Sequence, residues 1–190
     1  MNDLIYEAVV TTVSPTGTPH VAPMGVRYVQ GDVVLMPFKP STTLDNIVAT
    51  GHAVLNLLTD VRVLAGCVTG RKQWPVLPAE QVPGVRLRSA LRHVELQLVG
   101  QQPDAERPVL RLRPVHDATH APFIGMNRAQ AAVLEGAVLV SRLRFLPSDK
   151  IDSEMQYLQI AIDKTAGPDE REAWGWLQQA IAQHRQGRAA

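Results

Sequence analysis

Turn signals cut the first 115 residues into short β-prone runs, and this punctuation limits the fold more than any other feature. Residues 4–13 are rich in Val, Ile, Tyr and Thr, which fit a pleated surface. Ser14-Pro15-Thr16-Gly17-Thr18-Pro19 breaks that run, and residues 20–29 return. Gln30-Gly31-Asp32 then turns the chain into residues 33–38. Residues 85–99 read as a strand with Val94, Leu96 and Leu98 on one face and Glu95 and Gln97 on the other. After a turn at 103–108, residues 109–115 alternate Leu110 and Leu112 with Arg111 and Arg113. Residues 61–68 fit a strand or a helical turn equally, and 70–84, with three prolines, read as a loop. Six or seven strands joined mostly by short turns predict a mainly β fold with α, an antiparallel barrel over residues 1–115. Residues 116–190 are expected to be a helical part packed on the barrel or on a dimer partner.

One helix interrupts the strands. Lys39-Pro40-Ser41-Thr42-Thr43 supplies a cation and three hydroxyls, and Thr42 or Thr43 can cap a helix that stops at Gly51. Residues 53–58 form the next strand. A hydroxyl-rich loop with a lysine at a helix start suits an anion such as phosphate, and it equally suits an ordinary cap. The returning strand carries Ala22-Pro23-Met24-Gly25-Val26-Arg27. Pro23 removes a ladder donor and Gly25 permits close backbone approach, which fits a bulge at a barrel corner or a backbone edge facing a planar ligand.

Toward the C-terminus, Asn127 with Gln130 resembles a capping box for a helix to about residue 143. Ser148 and Asp149 open a second helix with Ile151, Met155, Leu158 and Ile162 on one face, ended by Gly167-Pro168. Trp174, Leu177 and Ile181 mark the apolar face of a third. Trp176 cannot share the face of Trp174 and reads as cover for an interface.

Composition narrows the function classes. The 19 basic residues nearly balance the 18 acidic ones, without a basic block, so no nucleic-acid partner is expected. No apolar run reaches the ~20 residues that span a bilayer. The N-terminal residues lack a signal-peptide pattern. The single Cys67 permits no intrachain disulfide and fits a reducing, cytoplasmic setting.

Thr43-x-x-Asn46-Ile47, followed by Ala53-Val54-Leu55-Asn56-Leu57, resembles the flavin reductase-like split barrels, a group that includes pyridoxamine-phosphate oxidase-like proteins. Several segments together are similar to domain-of-unknown-function family 447. They are Glu7–Thr12, Ala22–Arg27, Pro37-Phe38-Lys39-x-Ser41-x-Thr43-x-x-Asn46, Asn56-x-x-x-Asp60, Phe123-x-Gly125-x-Asn127-Arg128-Ala129, Ser141-Arg142-Leu143 and Lys164-Thr165-Ala166-Gly167. The resemblance implies an FMN-binding split barrel with a helical C-terminal part, a homodimer with flavin near the subunit interface, and an association with tetrahydromethanopterin one-carbon metabolism. It implies no particular reaction. Leu44 departs from the family, where an aromatic residue is expected beside the flavin loop.

On this basis Lys39, Ser41, Thr42 and Thr43 are the candidates for the FMN phosphate, with Arg27 as a second cation. The backbone of Met24, Gly25 and Val26 is the candidate for the ring edge, and Asn46 for a ring carbonyl or the ribityl chain. The expected function is a flavin-dependent oxidoreductase acting on an unknown small-molecule redox substrate, the alternative being a non-catalytic flavin- or pterin-binding protein. No catalytic acid or base can be nominated. His116 and His120 would share a face of a helix and could ligate a metal, but Pro114 and Pro122 argue against a helix there. The segment therefore reads as a polar loop, and no metal site is expected.

Overall fold

The computed structural model describes residues 4–189, without the side chains of 188 and 189. The chain divides into two units, Met1–Leu58 with Gln73–Phe123, and Thr59–Lys72 with Ile124–Ala190.

The first unit is a closed six-stranded antiparallel barrel. Its strands are β1 (Tyr6–Val13), β2 (Pro19–Val29), β3 (Asp32–Leu35), β4 (His52–Leu57), β7 (Arg92–Gln102) and β8 (Val109–Thr119). They follow one another around the barrel as β1-β2-β3-β8-β7-β4. A hairpin of β5 (Val76–Pro78) and β6 (Val85–Leu87) lies outside that ring. Residues 85–99 are therefore two strands, with residues 88–91 between them, rather than one. Val10, Val26, Leu35, Leu55, Leu96 and Leu110 fill the interior. Each buried aliphatic side chain contributes about 1.5–3 kcal/mol.

The ring is closed by short contacts. The β2–β3 ladder begins at Val26, so over Ala22–Gly25 β2 has a strand neighbour, β1, on one side only. β8 pairs with β3 only from Leu110 to Leu112, while it pairs with β7 along nearly its whole length. Because β3 spans only Asp32–Leu35, β2 before Val26 and β8 after Leu112 each run past it, beyond opposite ends. Pro23 pairs with Val9 in an unbroken register, so the bulge considered at this corner is absent. The irregularities fall in the β7–β8 ladder, where Val115 of β8 is skipped opposite Glu95 and Leu96 and Val99 of β7 is skipped between Leu98 and Gly100. At Gly25 an added Cβ would meet Ile5 Cγ2 at 2.7 Å, so an aliphatic neighbour in the same unit accounts for this glycine.

Helix α1 (Thr42–Thr50) joins β3 to β4. Its cap is Ser41, whose Oγ accepts from Leu44 N at 3.2 Å, rather than Thr42 or Thr43. Gly51 ends it in the left-handed conformation, donating to Ile47 O. Leu44 and Ile47 are buried in the barrel core. Leu44, where the resemblance leads one to expect an aromatic residue, packs in the barrel core.

The second unit is helical: α2 (Val61–Val68), α3 (Arg128–Ser141), α4 (Ser148–Thr165) and α5 (Pro168–Ala189). The undecided run at 61–68 is a helix. Asp60 caps it and holds Arg62 through Oδ1 at 2.9 Å and Oδ2 at 3.1 Å. Val61 and Ala65 join Ala129, Val133, Trp174 and Leu177 in one core. Asn127 caps α3, but the Gln130 side chain turns to Glu170, so only half of the capping box forms. Trp174 donates to Gln159 from within the core, and Trp176 lies under the Arg71 guanidinium at 4.0 Å.

Candidate functional site

The loop between β3 and α1 collects cations. Lys39 Nζ donates to Asp104 O at 2.9 Å, and its backbone N–H to Glu106 O. This pins the loop to the turn before β8. Arg107 donates to Met36 O and stacks over the Phe38 ring at 4.1 Å. Arg27 reaches Met36 Sδ at 3.4 Å. Three cations from three segments therefore surround residues 36–39, just before the free N–H groups of α1. None of the three forms an ion pair among the described residues. Arg107 was missed in the sequence because it lies far from Lys39 along the chain, inside what reads as a plain turn.

The other candidates differ in how free they are. Thr42 is exposed, whereas Thr43 is 1% exposed. Ser41 Oγ accepts the cap bond but keeps its proton to donate. Asn46 is buried and donates from Nδ2 to Thr12 Oγ1 at 3.0 Å, so one of its two N–H donors is committed inside the unit. Val26 is fully buried with ladders on both sides; Met24 and Gly25 belong to the stretch with one strand neighbour. Asn56 is a strut between strands. Its Nδ2 contacts Val9 O, Thr11 Oγ1 and Val54 O, and its Oδ1 accepts from Leu87 N at 2.7 Å.

A second polar group lies on β7 and β8. The last barrel strand, expected to end at 115, runs to Thr119, so His116 stands on a strand and not in a loop. Glu95, on the strand face opposite Val94, Leu96 and Leu98, is fully buried. Its carboxylate accepts from the N–H groups of Glu80, Gln81 and Val82 at 2.6–2.7 Å and faces His93 Nε2 at 3.1 Å. Burial alone raises its pKa, but the three backbone donors and His93 outweigh that and hold it below the usual carboxylate range. His93 is also fully buried, with Nδ1 2.8 Å from His120 Nε2. Burial, followed by Arg86 and His93, keeps the His120 pKa below the ordinary imidazole value. His116 Nε2 lies 3.3 Å from Glu80 Oε2, outside hydrogen-bonding geometry. The signal available in the sequence was His93-x-Glu95, two residues on one face of a strand.

A closed six-stranded antiparallel barrel with a helix after its third strand is the split-barrel fold. The chain belongs to the DUF447 family. Residues 6–121 match the model described as "Protein of unknown function (DUF447) N-terminal domain", and residues 127–179 match "Protein of unknown function (DUF447)". Among solved structures, the FMN-bound DUF447 protein MM1853 from Methanosarcina mazei is similar at 18% identity with a TM-score of 0.79, over 93% of this chain and 94% of that one. Nitrilotriacetate monooxygenase component B from Bacillus cereus is similar at 16% identity with a TM-score of 0.55, over 66% and 74%. The 2-nitrobenzoate 2-nitroreductase NbaA of Pseudomonas fluorescens is similar at 18% identity with a TM-score of 0.53, over 60% and 64%. No curated protein matches.

Proposed function

We propose that this chain binds FMN and works as a flavin-dependent oxidoreductase on a small-molecule substrate. The observation that carries this reading is the gathering of three cations, Arg27, Lys39 and Arg107, around residues 36–39 just before α1, none of them in an ion pair among the described residues. A phosphate group is met there by charge, by the Ser41 and Thr42 hydroxyls and by the α1 N–H groups. The FMN-bound state of the similar MM1853 supports the choice of ligand. The ring edge is assigned to Met24 and Gly25, where β2 lacks a second strand neighbour. Thr43 and Asn46 act by shaping the wall from inside the barrel. Bound FMN supplies the electron-transfer chemistry; the protein's part is binding, orientation and control of access.

We also infer a homodimer. Leu4, Ile5, Tyr6 and Tyr28 are all more than 40% exposed, and the two tyrosines form an edge-to-face pair at 5.6 Å. Such a group is a natural surface for a second copy.

Titration of purified protein with FMN, read by absorbance and quenching of flavin fluorescence, tests the binding. Saturable 1:1 uptake is expected. Lys39→Ala and Arg107→Ala should each weaken it roughly 10- to 100-fold, since a hydrogen bond to a charged group contributes about 1.5–3 kcal/mol. Unchanged affinity in both variants places the phosphate elsewhere, and no uptake by the unaltered protein overturns the proposal. Anaerobic bleaching by NADH or NADPH identifies the electron donor, and light scattering after gel filtration reports the dimer.

A further inference from the structure

A group of donors on β7, β8 and the β5–β6 connection has no part in the flavin reading. Glu80, His93 and His116 each direct one donor atom into a common space, all within 4.8 Å of one another. We propose that these three residues bind a single divalent first-row transition-metal ion, with Zn2+ as the representative case.

Donor chemistry selects the ion. Two imidazoles and one carboxylate suit Zn2+ and its neighbours, whereas Mg2+ and Ca2+ call for oxygen ligands. Three protein ligands leave one tetrahedral position open, the pattern of reactive rather than closed structural zinc sites. Spacing agrees. Ligand atoms about 2.0–2.1 Å from a tetrahedral ion sit roughly 3.3–3.4 Å apart. His116 Nε2 and Glu80 Oε2 are 3.3 Å apart, without the geometry of a hydrogen bond. His116 Nε2 is also withdrawn from solvent and has no hydrogen-bond partner among the described residues. Such an orphaned nitrogen is costly unless something occupies its lone pair.

The surroundings complete the arrangement. His93 is held from both ends, by Glu95 at Nε2 and by His120 at Nδ1. The nitrogen that ligates exchanges its present partner, Glu95 or His120, for the ion, and the other keeps a partner that fixes the ring, as second-shell groups do around metal-bound histidines. Glu95 is locked by three backbone N–H groups from residues 80–82, so the segment that carries Glu80 is tied to the strand that carries His93. The ligands therefore come from three pieces of backbone already joined by hydrogen bonds, and little ordering remains for the ion to impose.

Zn2+ alone is the probe, titrated calorimetrically into full-length protein after chelator treatment, with native mass spectrometry for the stoichiometry. One equivalent is expected to bind. Glu80→Gln and His116→Ala, at the more exposed ligands, should each weaken binding at least tenfold, as even outer-shell changes do at such sites. His184→Ala is the control, because His184 Nε2 is equally buried and unpartnered but lies on α5, outside the group. Thermal unfolding of each variant without metal verifies folding. Co2+ substitution should give the visible absorption of a low-coordinate site, and both ligand variants should lose it. Absence of saturable binding, or binding indifferent to Glu80→Gln and His116→Ala, overturns the proposal. The titration does not involve flavin, so it succeeds or fails independently of FMN binding.

Discussion

Asn56 belongs to the segment by which the chain resembles flavin-binding barrels, yet its side chain is fully buried among four partners of its own unit. Its role should therefore be mechanical. In Asn56→Ala the Leu87 N–H loses the acceptor it holds at 2.7 Å, and an orphaned buried donor costs about 1–3 kcal/mol. Thr11 Oγ1, Val9 O and Val54 O lose Nδ2, but Thr11 still donates to Val85 O at 2.5 Å with Val54 O within 3.3 Å, and an under-satisfied carbonyl adds less than an orphaned N–H. Vacating roughly 30–40 Å3 at about 24 cal/mol per Å3 adds about 1 kcal/mol. The total is about 2–4 kcal/mol, or roughly 4–16 °C in Tm for a chain of this length. Circular dichroism melts of the FMN-free protein measure it, and flavin titration of the folded variant measures affinity. A loss below about 1 kcal/mol would show that the four contacts carry no net stability. A melting temperature near normal with FMN affinity sharply reduced would make Asn56 a ligand contact and refute the reasoning.

Two further perturbations follow from buried groups. Because the native Glu95 carboxyl titrates below its usual range, its stabilising contribution is present above the unfolded value of about 4.3 and is lost as pH falls through the lower native value. Urea midpoints of the unaltered protein and Glu95→Gln should differ steadily from pH 7 to 5 and converge only below about pH 4; a constant gap down to pH 3 contradicts this assignment. On α3, Gly136→Ala would place Cβ 2.9 Å from Trp174 Cζ3 and 3.0 Å from Leu177 Cδ1. A substitution that elsewhere in a helix gains about 1 kcal/mol should here lose about 1 kcal/mol through overpacking, and a raised Tm would refute that.

What could be read in the amino acids was mostly local. Pro and Gly turns marked the strands, and Gly51 marked the end of α1, because each acts on its own backbone. The run 61–68 was undecidable, since a short apolar segment satisfies both periods. Its helical state comes with packing against Ala129, Val133 and Leu177, distant in the chain. Glu95 lies on the strand face opposite Val94, Leu96 and Leu98, and it is buried because residues 80–82 fold over it with three N–H donors. Pro114 argued against regular structure near His116. It is accommodated because the β7–β8 register skips there, pairing Leu96 with Pro114 and Glu95 with His116, and prolines in sheets occupy such irregularities. On the flavin side Lys39 and Ser41 were legible as a loop before a helix. Arg107 was not, because only the closing of the barrel brings β8 beside β3.

The placement of α2 has a consequence for how the chain is made. Val61 and Ala65 are buried in a core formed with residues of α3, α4 and α5, whose segments leave the ribosome after β5 to β8. About 100 residues separate the end of α2 from the start of α5, roughly 5–20 s of synthesis. During that interval the apolar face of α2 has no permanent cover while the barrel strands on either side of it can already pair. Release of a nascent chain stalled near residue 123 should therefore yield a species that binds chaperones through residues 61–68, and extension through α5 should end that binding.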